Sequence, residues 1–203
     1  VMSREVVDGV EITKLRFLSR TIPGTDDKVI CFGILARPAE GSGPRPAVLV
    51  CHGGGASAQA VSPAAIGWAK RGYVSFCQDQ PGIASEETHP NTSGPWKKNK
   101  SDRFTVEPDV TNVTIFDGVV SALNGLRILR SQPDVDKSKV GVMGGSWGGY
   151  MTTMVTGLAG DRVTAAFSIY GAGYYELGSA WTGSLMNLTP ELRERWLTHL
   201  DAG

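Results

Sequence analysis

The stretch Lys139-Val-Gly-Val-Met-Gly-Gly-Ser146-Trp-Gly-Gly-Tyr150 decides the fold of this 203-residue chain. Its apolar part, residues 140–143, predicts a short buried strand. The next five residues, 144–148, fit the pattern G-x-S-x-G, in which a sharp strand-to-helix turn exposes a serine hydroxyl. Glycine at both ends of this pattern removes side chains that the turn would crowd. Ser146 is therefore the candidate nucleophile, with the N-terminus of the following helix directed at it.

A second glycine-rich motif lies upstream. The sequence His52-Gly53-Gly54-Gly55 follows another apolar segment, residues 47–51. This H-G-G-G pattern is typical of a loop whose backbone N–H groups stabilise an oxyanion. We therefore predict an oxyanion hole built from the N–H groups of Trp147, Gly54 and Gly55. A glycine-rich turn in an ordinary doubly wound sheet is the alternative for each motif, but it does not explain a serine at the apex of one turn.

The run Gln132-Pro-Asp-Val-Asp-Lys-Ser-Lys-Val-Gly-Val-Met-Gly-Gly-Ser146-Trp-Gly-Gly-Tyr150 resembles a signature of α/β-hydrolases. The resemblance is to the group that holds dienelactone hydrolases, acetylxylan esterases and the catalytic domains of prolyl-oligopeptidase-type peptidases. It extends over residues 29–173. It implies an α/β fold, with a mostly parallel sheet, an antiparallel N-terminal hairpin and flanking helices. It also implies a serine hydrolase that needs no cofactor.

Composition narrows the function classes further. The formal net charge is zero, which gives no sign of electrostatic capture of nucleic acid or of an anionic membrane. No apolar run approaches the roughly 20 residues of a membrane span. Cys31, Cys51 and Cys77 fall within apolar strand patterns and indicate buried free thiols. No metal-ligand cluster is visible, and the ordinary composition predicts a soluble protein, either cytoplasmic or secreted.

The rest of the chain predicts alternating strands and helices. Residues 10–18 and 29–36 form the hairpin at the sheet edge, and residues 73–77 form a strand. A helix from Ser62 has this serine as N-cap, Pro63 in its first position and Gly72 past its end. Asp79, in the turn after the strand, is interpreted as a capping carboxylate rather than a catalytic one.

Two helices and a strand complete this prediction. The first helix, residues 109–130, carries an apolar stripe that should face the sheet: Val113, Phe116, Val120, Leu123 and Leu126. The second helix, residues 148–159, follows the serine. Residues 163–170 then form a further buried strand.

A long polar insertion, residues 84–108, should lie near the active site because it leaves the carboxyl end of a strand. Its Trp96 either lines a substrate site or anchors a solvated loop. Trp181, in an irregular segment, is the other candidate for substrate binding.

The acid and the base of a catalytic triad have no clear candidates. In α/β-hydrolases the order along the chain is nucleophile, acid, histidine, yet His199 alone among the histidines follows Ser146. A triad of Ser146, Glu176 and His199 is one alternative, although His199 lies late in a predicted helix. His52 is a second alternative, and His89 in the insertion has no support.

The preferred expectation is that the chain is a single incomplete domain, residues 1–203, that ends before the last strands, the acid and the histidine. The strand at residues 163–170 would then be an exposed sheet edge, through which the chain would oligomerise.

Three functions remain open. The first is a serine esterase acting on small carboxylic esters, either acetyl esters of carbohydrates or lactones. The second is a prolyl-oligopeptidase-type peptidase, although only 46 residues precede the strand at residues 47–51, too few for the propeller of those enzymes. The third is an α/β-hydrolase fold kept as a binding module without catalysis.

Overall fold

The computed structural model describes residues 1–82, 92–94, 111, 113–171, 191 and 194, and the structural statements below concern these residues. The chain divides into two compact units, Val1–Gly171 and Ala172–Gly203, of which the first contains the sheet. The strands are β1 Ser3–Val7, β2 Val10–Thr21, β3 Lys28–Pro38, β4 Arg45–Cys51, β5 Val74–Gln78, β6 Val135–Gly145 and β7 Ala165–Ile169. The helices are α1 Ala58–Ala69, α2 Thr114–Arg130 and α3 Trp147–Ala159.

The strands form one mixed sheet in the order β1-β2-β3-β5-β4-β6-β7. The neighbours β5, β4, β6 and β7 run parallel, and the first three strands add antiparallel pairs. From β4 the chain passes through α1 to β5, which pairs with one edge of β4. It then passes through α2 to β6, which pairs with the opposite edge of β4. The chain therefore changes direction between β4 and β6, and in such sheets ligands bind at the carboxyl ends of the strands beside this point. The predicted α/β-hydrolase architecture is confirmed.

The N-terminal hairpin is confirmed, and a strand that was not predicted, β1, lies outside it. All five residues of β1 are exposed, so no apolar alternation marks the strand. Asp8 and Gly9, with φ values of 50° and 74°, form the two-residue turn to β2. An Asp-Gly pair is a strong hairpin signal, and it was present in the sequence.

Helix α1 begins five residues earlier than predicted, so Ser62 as N-cap is wrong. Ser57 is the N-cap, and its Oγ accepts an N–H bond of 3.3 Å from the first turn. Asp79 Oδ1 accepts the N–H of the first helical residue at 2.7 Å. Pro63 therefore lies inside the helix, where its missing N–H would leave the Gln59 carbonyl without a donor. The Ser62 hydroxyl donates to that carbonyl at 2.8 Å and so makes the proline tolerable.

Helix α2 buries a different face from the predicted apolar stripe. Only Val113 and Leu126 of the stripe are buried, and the other three members are half-buried. The buried face is largely small or polar: Thr114, Asp117, Gly118, Val119, Ser121, Ala122, Gly125 and Leu129. The reason is close packing on β5, since a Cβ at Gly125 would overlap the carboxamide of Gln78. The predicted start at residue 109 lies outside the described residues.

Among the described residues, strand β7 is an exposed edge of the sheet rather than the predicted buried strand. Its first four residues are exposed, and Phe167 retains 62% of its accessible surface. It pairs with β6 on one side and stands last in the sheet order. The sequence prediction of an exposed sheet edge here thus agrees with the described structure, while oligomerisation through it stays a prediction.

The three cysteines are buried free thiols, as predicted. Burial raises the pKa of the Cys51 thiol to about 12 and raises the pKa values of Cys31 and Cys77 as well. These groups are therefore neutral and unreactive at neutral pH.

One buried ion pair joins β2 to α2. Arg20 donates from Nε to Asp117 Oδ1 at 2.6 Å and from Nη2 to Oδ2 at 2.9 Å. The same Nη2 donates to the Thr111 carbonyl at 2.7 Å, and the guanidinium lies 4.9 Å from the Phe116 ring centroid. Burial raises the pKa of Asp117, and the hydrogen bond and charge of Arg20 oppose that rise.

We expect Arg20→Met to destabilise the fold by about 3 kcal/mol at pH 7, because it leaves a buried carboxylate without its partner. The pKa of Asp117 rises further in the variant. A raised folded-state pKa means that the cost is fully present above that pKa and disappears as pH falls towards the unfolded value. Urea denaturation at pH 7 and pH 4.5 should therefore show a smaller loss at the lower pH.

The control for this prediction is Lys70→Met, which breaks an exposed ion pair of 3.3 Å with Asp8. We expect a change of less than about 1 kcal/mol from it. Equal losses for the two variants, or a loss for Arg20→Met that grows at low pH, would contradict the assignment.

Candidate active site

Ser146 stands alone between β6 and α3, in the turn that the sequence predicts. Its backbone has φ 55° and ψ −120°, a combination that a residue with a side chain rarely adopts. The Ser146 N–H donates to the Ile169 carbonyl at 2.8 Å, which ties the turn to the end of β7. The side chain is exposed. The turn therefore presents the hydroxyl at the carboxyl edge of the sheet.

The glycines around Ser146 are required by close backbone approach. A Cβ at Gly144 would lie 2.6 Å from the Cys51 carbonyl oxygen, and one at Gly148 would collide with the same atom. A Cβ at Gly149 would lie 2.8 Å from the Ile169 carbonyl oxygen. The elbow therefore sits directly against the end of β4, with α3 close against β7.

The H-G-G-G loop begins beside the serine. The Cβ position of Gly53 is 3.9 Å from Ser146 Cβ and 3.5 Å from the Gly145 carbonyl oxygen. The loop then turns outward, and Gly55 has φ +78°. Gly54 and Gly55 are exposed, and within the described part of the chain no acceptor takes the N–H of either. These two groups are therefore available to a ligand beside the serine.

Trp147, the third predicted oxyanion donor, is the first residue of α3. The N–H groups in the first turn of a helix point out of its N-terminus, where partial positive charge accumulates. The indole of Trp147 is buried and donates from Nε1 to Gln80 Oε1 at 2.7 Å. The side chain thus fixes the position of the backbone N–H next to Ser146.

His52 has a structural role and is not suited to act as the base. The backbone N–H of Gln80 donates to His52 Nε2 at 2.9 Å, so this nitrogen carries no proton. Nδ1 lies 2.7 Å from the Gly53 carbonyl oxygen and must therefore donate to it. The ring is neutral and fully buried, with both nitrogens engaged. The alternative in which His52 takes the Ser146 proton is therefore wrong.

Asp79 has the capping role that the sequence predicts. Its Oδ1 caps α1, as described above, and its Oδ2 accepts a bond of 2.7 Å from the Thr92 hydroxyl. Thr92 in turn accepts the Phe32 N–H at 2.9 Å. Both carboxylate oxygens are thus committed to holding α1 and residue 92 against the sheet.

Gln80 is the residue of this region that the sequence analysis missed. Its side chain is fully buried and bonds to both glycine-rich turns, through the Trp147 indole and the His52 carbonyl. The signal was weak, since glutamine in an Asp-Gln-Pro-Gly turn is usually expected at the surface.

Several predicted residues lie outside the described part of the chain. They are the substrate-binding candidates Trp96 and Trp181, the candidate acid Glu176, and the histidines His89 and His199. Nearly all of the insertion at residues 84–108 lies there as well. The acid and base assignments therefore stay predictions.

The described residues were also searched for metal ligands, membrane-spanning helices and cavities. They hold no group of three His, Cys, Asp or Glu side chains that would bind a metal ion, and no helix among them is long and apolar enough to span a membrane. A cavity of about 450 Å³ is lined by four basic residues, Arg127, Arg130, Lys137 and Arg162, together with uncharged residues of α2 and the residue that follows it. Lys137 lies near the start of β6, so this cavity is at the other end of the strand from Ser146.

Comparison with solved structures supports the fold. An acetyl xylan esterase from Paenibacillus sp. R4 has 16% identity and a TM-score of 0.64, with 94% of this chain and 63% of that chain covered. Acetyl xylan esterase 1 from Thermoanaerobacterium sp. JW/SL YS485 has 18% identity and a TM-score of 0.62, with 97% and 62% covered. A dienelactone hydrolase-like promiscuous phosphotriesterase from metagenomic libraries has 20% identity and a TM-score of 0.57, with 80% and 60% covered.

The chain thus spans less than two thirds of the length of these similar proteins. At these identities the likeness establishes the α/β-hydrolase fold. The family model for acetyl xylan esterase (AXE1) matches residues 7–171, which include the H-G-G-G loop and the serine turn. The chain therefore belongs to the acetyl xylan esterase family.

Proposed function

We propose that this protein is a serine esterase in which Ser146 attacks the carbonyl carbon of small carboxylic esters. One observation carries the proposal. An exposed serine at a positive-φ apex stands beside a glycine-rich loop, at the carboxyl edge of the parallel strands. A serine held in this conformation costs backbone strain of order 1–3 kcal/mol, which is typical of functional positions.

The proposed reaction begins at Ser146. Ser146 Oγ bonds to the ester carbonyl carbon while a base removes its proton, and the carbonyl oxygen becomes an oxyanion. The N–H groups of Trp147, Gly54 and Gly55 stabilise that charge, each worth on the order of 10²–10³-fold in rate. The alcohol leaves with a proton, and water then hydrolyses the acyl-enzyme. The base is a residue other than His52, whose ring nitrogens are both engaged.

We propose acetyl esters of carbohydrate hydroxyls as the substrates. Membership of the acetyl xylan esterase family supports this class, and two similar solved structures are named acetyl xylan esterases. The likeness to a dienelactone hydrolase-like protein makes lactones the second class to test.

The test compares three substrates in the full chain: p-nitrophenyl acetate, acetylated xylo-oligosaccharides and an aminoacyl p-nitroanilide. We expect kcat/KM for the esters to exceed that for the anilide by more than about 100-fold, because an acetyl-ester site lacks the contacts that bind a peptide. Faster anilide cleavage would favour the peptidase. Ligand binding without turnover of any substrate would favour a binding module.

A further inference from the structure

We propose that Gln80 is a positioning residue that holds the two parts of the oxyanion hole at a fixed separation. The inference rests on the proposed esterase function and assigns a role to a residue that does not touch the substrate. The donors Gly54 and Gly55 follow β4, whereas Trp147 follows β6. Gln80 follows a third strand, β5, and bonds to His52 at the start of the H-G-G-G loop and to the indole of Trp147.

Three hydrogen bonds place Gln80 between these two turns. Its backbone N–H donates to His52 Nε2 at 2.9 Å, and its side-chain Nε2 donates to the His52 carbonyl at 3.2 Å. Its Oε1 accepts from Trp147 Nε1 at 2.7 Å. His52 in turn donates to the Gly53 carbonyl at 2.7 Å. The contacts thus run without a break from the H-G-G-G loop to the elbow.

The chemistry of the partners requires a carboxamide at this position. An indole N–H can only donate, and a backbone carbonyl can only accept, so the amide orientation is fixed by its two neighbours. A carboxylate would keep an acceptor for Trp147 but lose the donor to His52. A methionine of similar length would lose the donor and keep only a weak sulfur acceptor for the indole. Glutamine is the uncharged residue of this length that satisfies the two contacts together.

Helix α2 packs against the carboxamide of Gln80. Gly118 of α2 faces it, and a Cβ at Gly118 would lie 4.0 Å from Gln80 Oε1 and 3.7 Å from Met151 Sδ. Gln80 is fully buried, so water does not compete for these bonds. In a buried site each bond is stronger than in water, and an unmade one is costly.

This coupling matters because oxyanion donors act over a narrow range. They must lie about 2.7–3.1 Å from the oxygen that becomes charged, and a misplacement of about 1 Å can cost on the order of 100-fold in rate. The strand framework is independent of Gln80, since Cys51 pairs with both Gln78 and Gly144 through the backbone. Loss of the carboxamide should therefore loosen the donors while the sheet stays intact.

The chain offers a matched control in Gln78, which is the last residue of β5 and lies two residues before Gln80. Gln78 is also fully buried, and in the described part of the chain neither its Nε2 nor its Oε1 has a hydrogen-bond partner. Gln78→Met therefore makes the same chemical change without breaking a contact to either turn.

The experiment measures kcat and KM for p-nitrophenyl acetate, and the inhibition constant of a trifluoromethyl ketone whose serine adduct carries an oxyanion. We expect Gln80→Met to lower kcat by on the order of 10–100-fold, with KM changed by less than about 3-fold. The inhibition constant of the ketone should rise by about the same factor by which kcat falls. Gln80→Glu should fall between Gln80→Met and the wild type, and Gln78→Met should match the wild type.

An unchanged kcat in a folded Gln80→Met variant would overturn the inference, as would equal rises in KM and in the inhibition constant. If Gln80→Met does not fold, Gln80→Glu carries the same comparison, and an unchanged kcat there is equally contrary. Failure of the proposed function gives a different result. In that case the Ser146→Ala variant would turn over p-nitrophenyl acetate at the wild-type rate.

Discussion

Replacing Ser146 with alanine is expected to lower kcat for p-nitrophenyl acetate by a factor on the order of 10⁴–10⁶. The substitution removes the one atom that bonds to the substrate and leaves the oxyanion donors in place. Residual catalysis by those donors sets the lower limit of the remaining rate. Covalent labelling by a fluorophosphonate should disappear in the same variant.

The control for this variant is Ser138→Ala, on the strand β6 that leads into the serine turn. Ser138 is exposed near the start of β6, and its hydroxyl donates to Asp136 at 2.6 Å. We expect full activity and full labelling from it. A Ser146→Ala protein that keeps more than about a hundredth of the wild-type rate would contradict the nucleophile assignment, because the proposed acyl-enzyme forms on Ser146.

Replacing Gly148 with alanine is expected to destabilise the protein by about 3 kcal/mol or more and to abolish esterase activity. The added Cβ would collide with the Cys51 carbonyl oxygen and lie 2.9 Å from the His52 carbonyl oxygen. Both are backbone atoms at the end of β4, so neither moves without shifting the H-G-G-G loop. Urea denaturation and p-nitrophenyl acetate turnover measure the two effects.

Gly157→Ala is the control, in the same helix. Among the described residues, no atom beyond the adjoining helix backbone lies within 4 Å of the Cβ that alanine would add there. Alanine in a helix interior is favoured over glycine by roughly 0.5–1 kcal/mol, so this variant should be more stable than the wild type and fully active. Similar unfolding free energies for the two variants would show that the elbow is not packed as described.

The sequence predicted the serine turn and the neighbouring loop because their geometry depends on glycine, which the sequence displays directly. Gly144 and Gly148 are needed by the backbone approach to Cys51, and no other residue type fits. The hairpin and the parallel strands were predictable because apolar runs and turn residues mark them locally in the sequence.

The errors in the fold arise from contacts between distant parts of the chain. The start of α1 depends on Asp79, 21 residues from the N–H that it accepts. The buried face of α2 depends on the glutamine Gln78 of β5, whose bulk requires small residues such as Gly125 opposite. An apolar-stripe argument assigns the larger side chains to the core and so chooses the wrong face.

In the candidate site, the role of Gln80 could not be predicted because it depends on three strand ends meeting. The same is true of His52, whose proton position is set by the N–H of Gln80. The H-G-G-G motif identifies His52 as part of the loop, but it does not determine which ring nitrogen carries the proton. The tautomer, and hence its exclusion as a base, required the structure.

The most direct test of the central claim is peptide mapping by mass spectrometry after reaction of the protein with a fluorophosphonate. We predict one stoichiometric adduct, on the peptide that contains Ser146, and protection of that residue by an acetylated xylo-oligosaccharide. An adduct on another residue, or no adduct in a protein that hydrolyses esters, would contradict the assignment of Ser146 as the nucleophile.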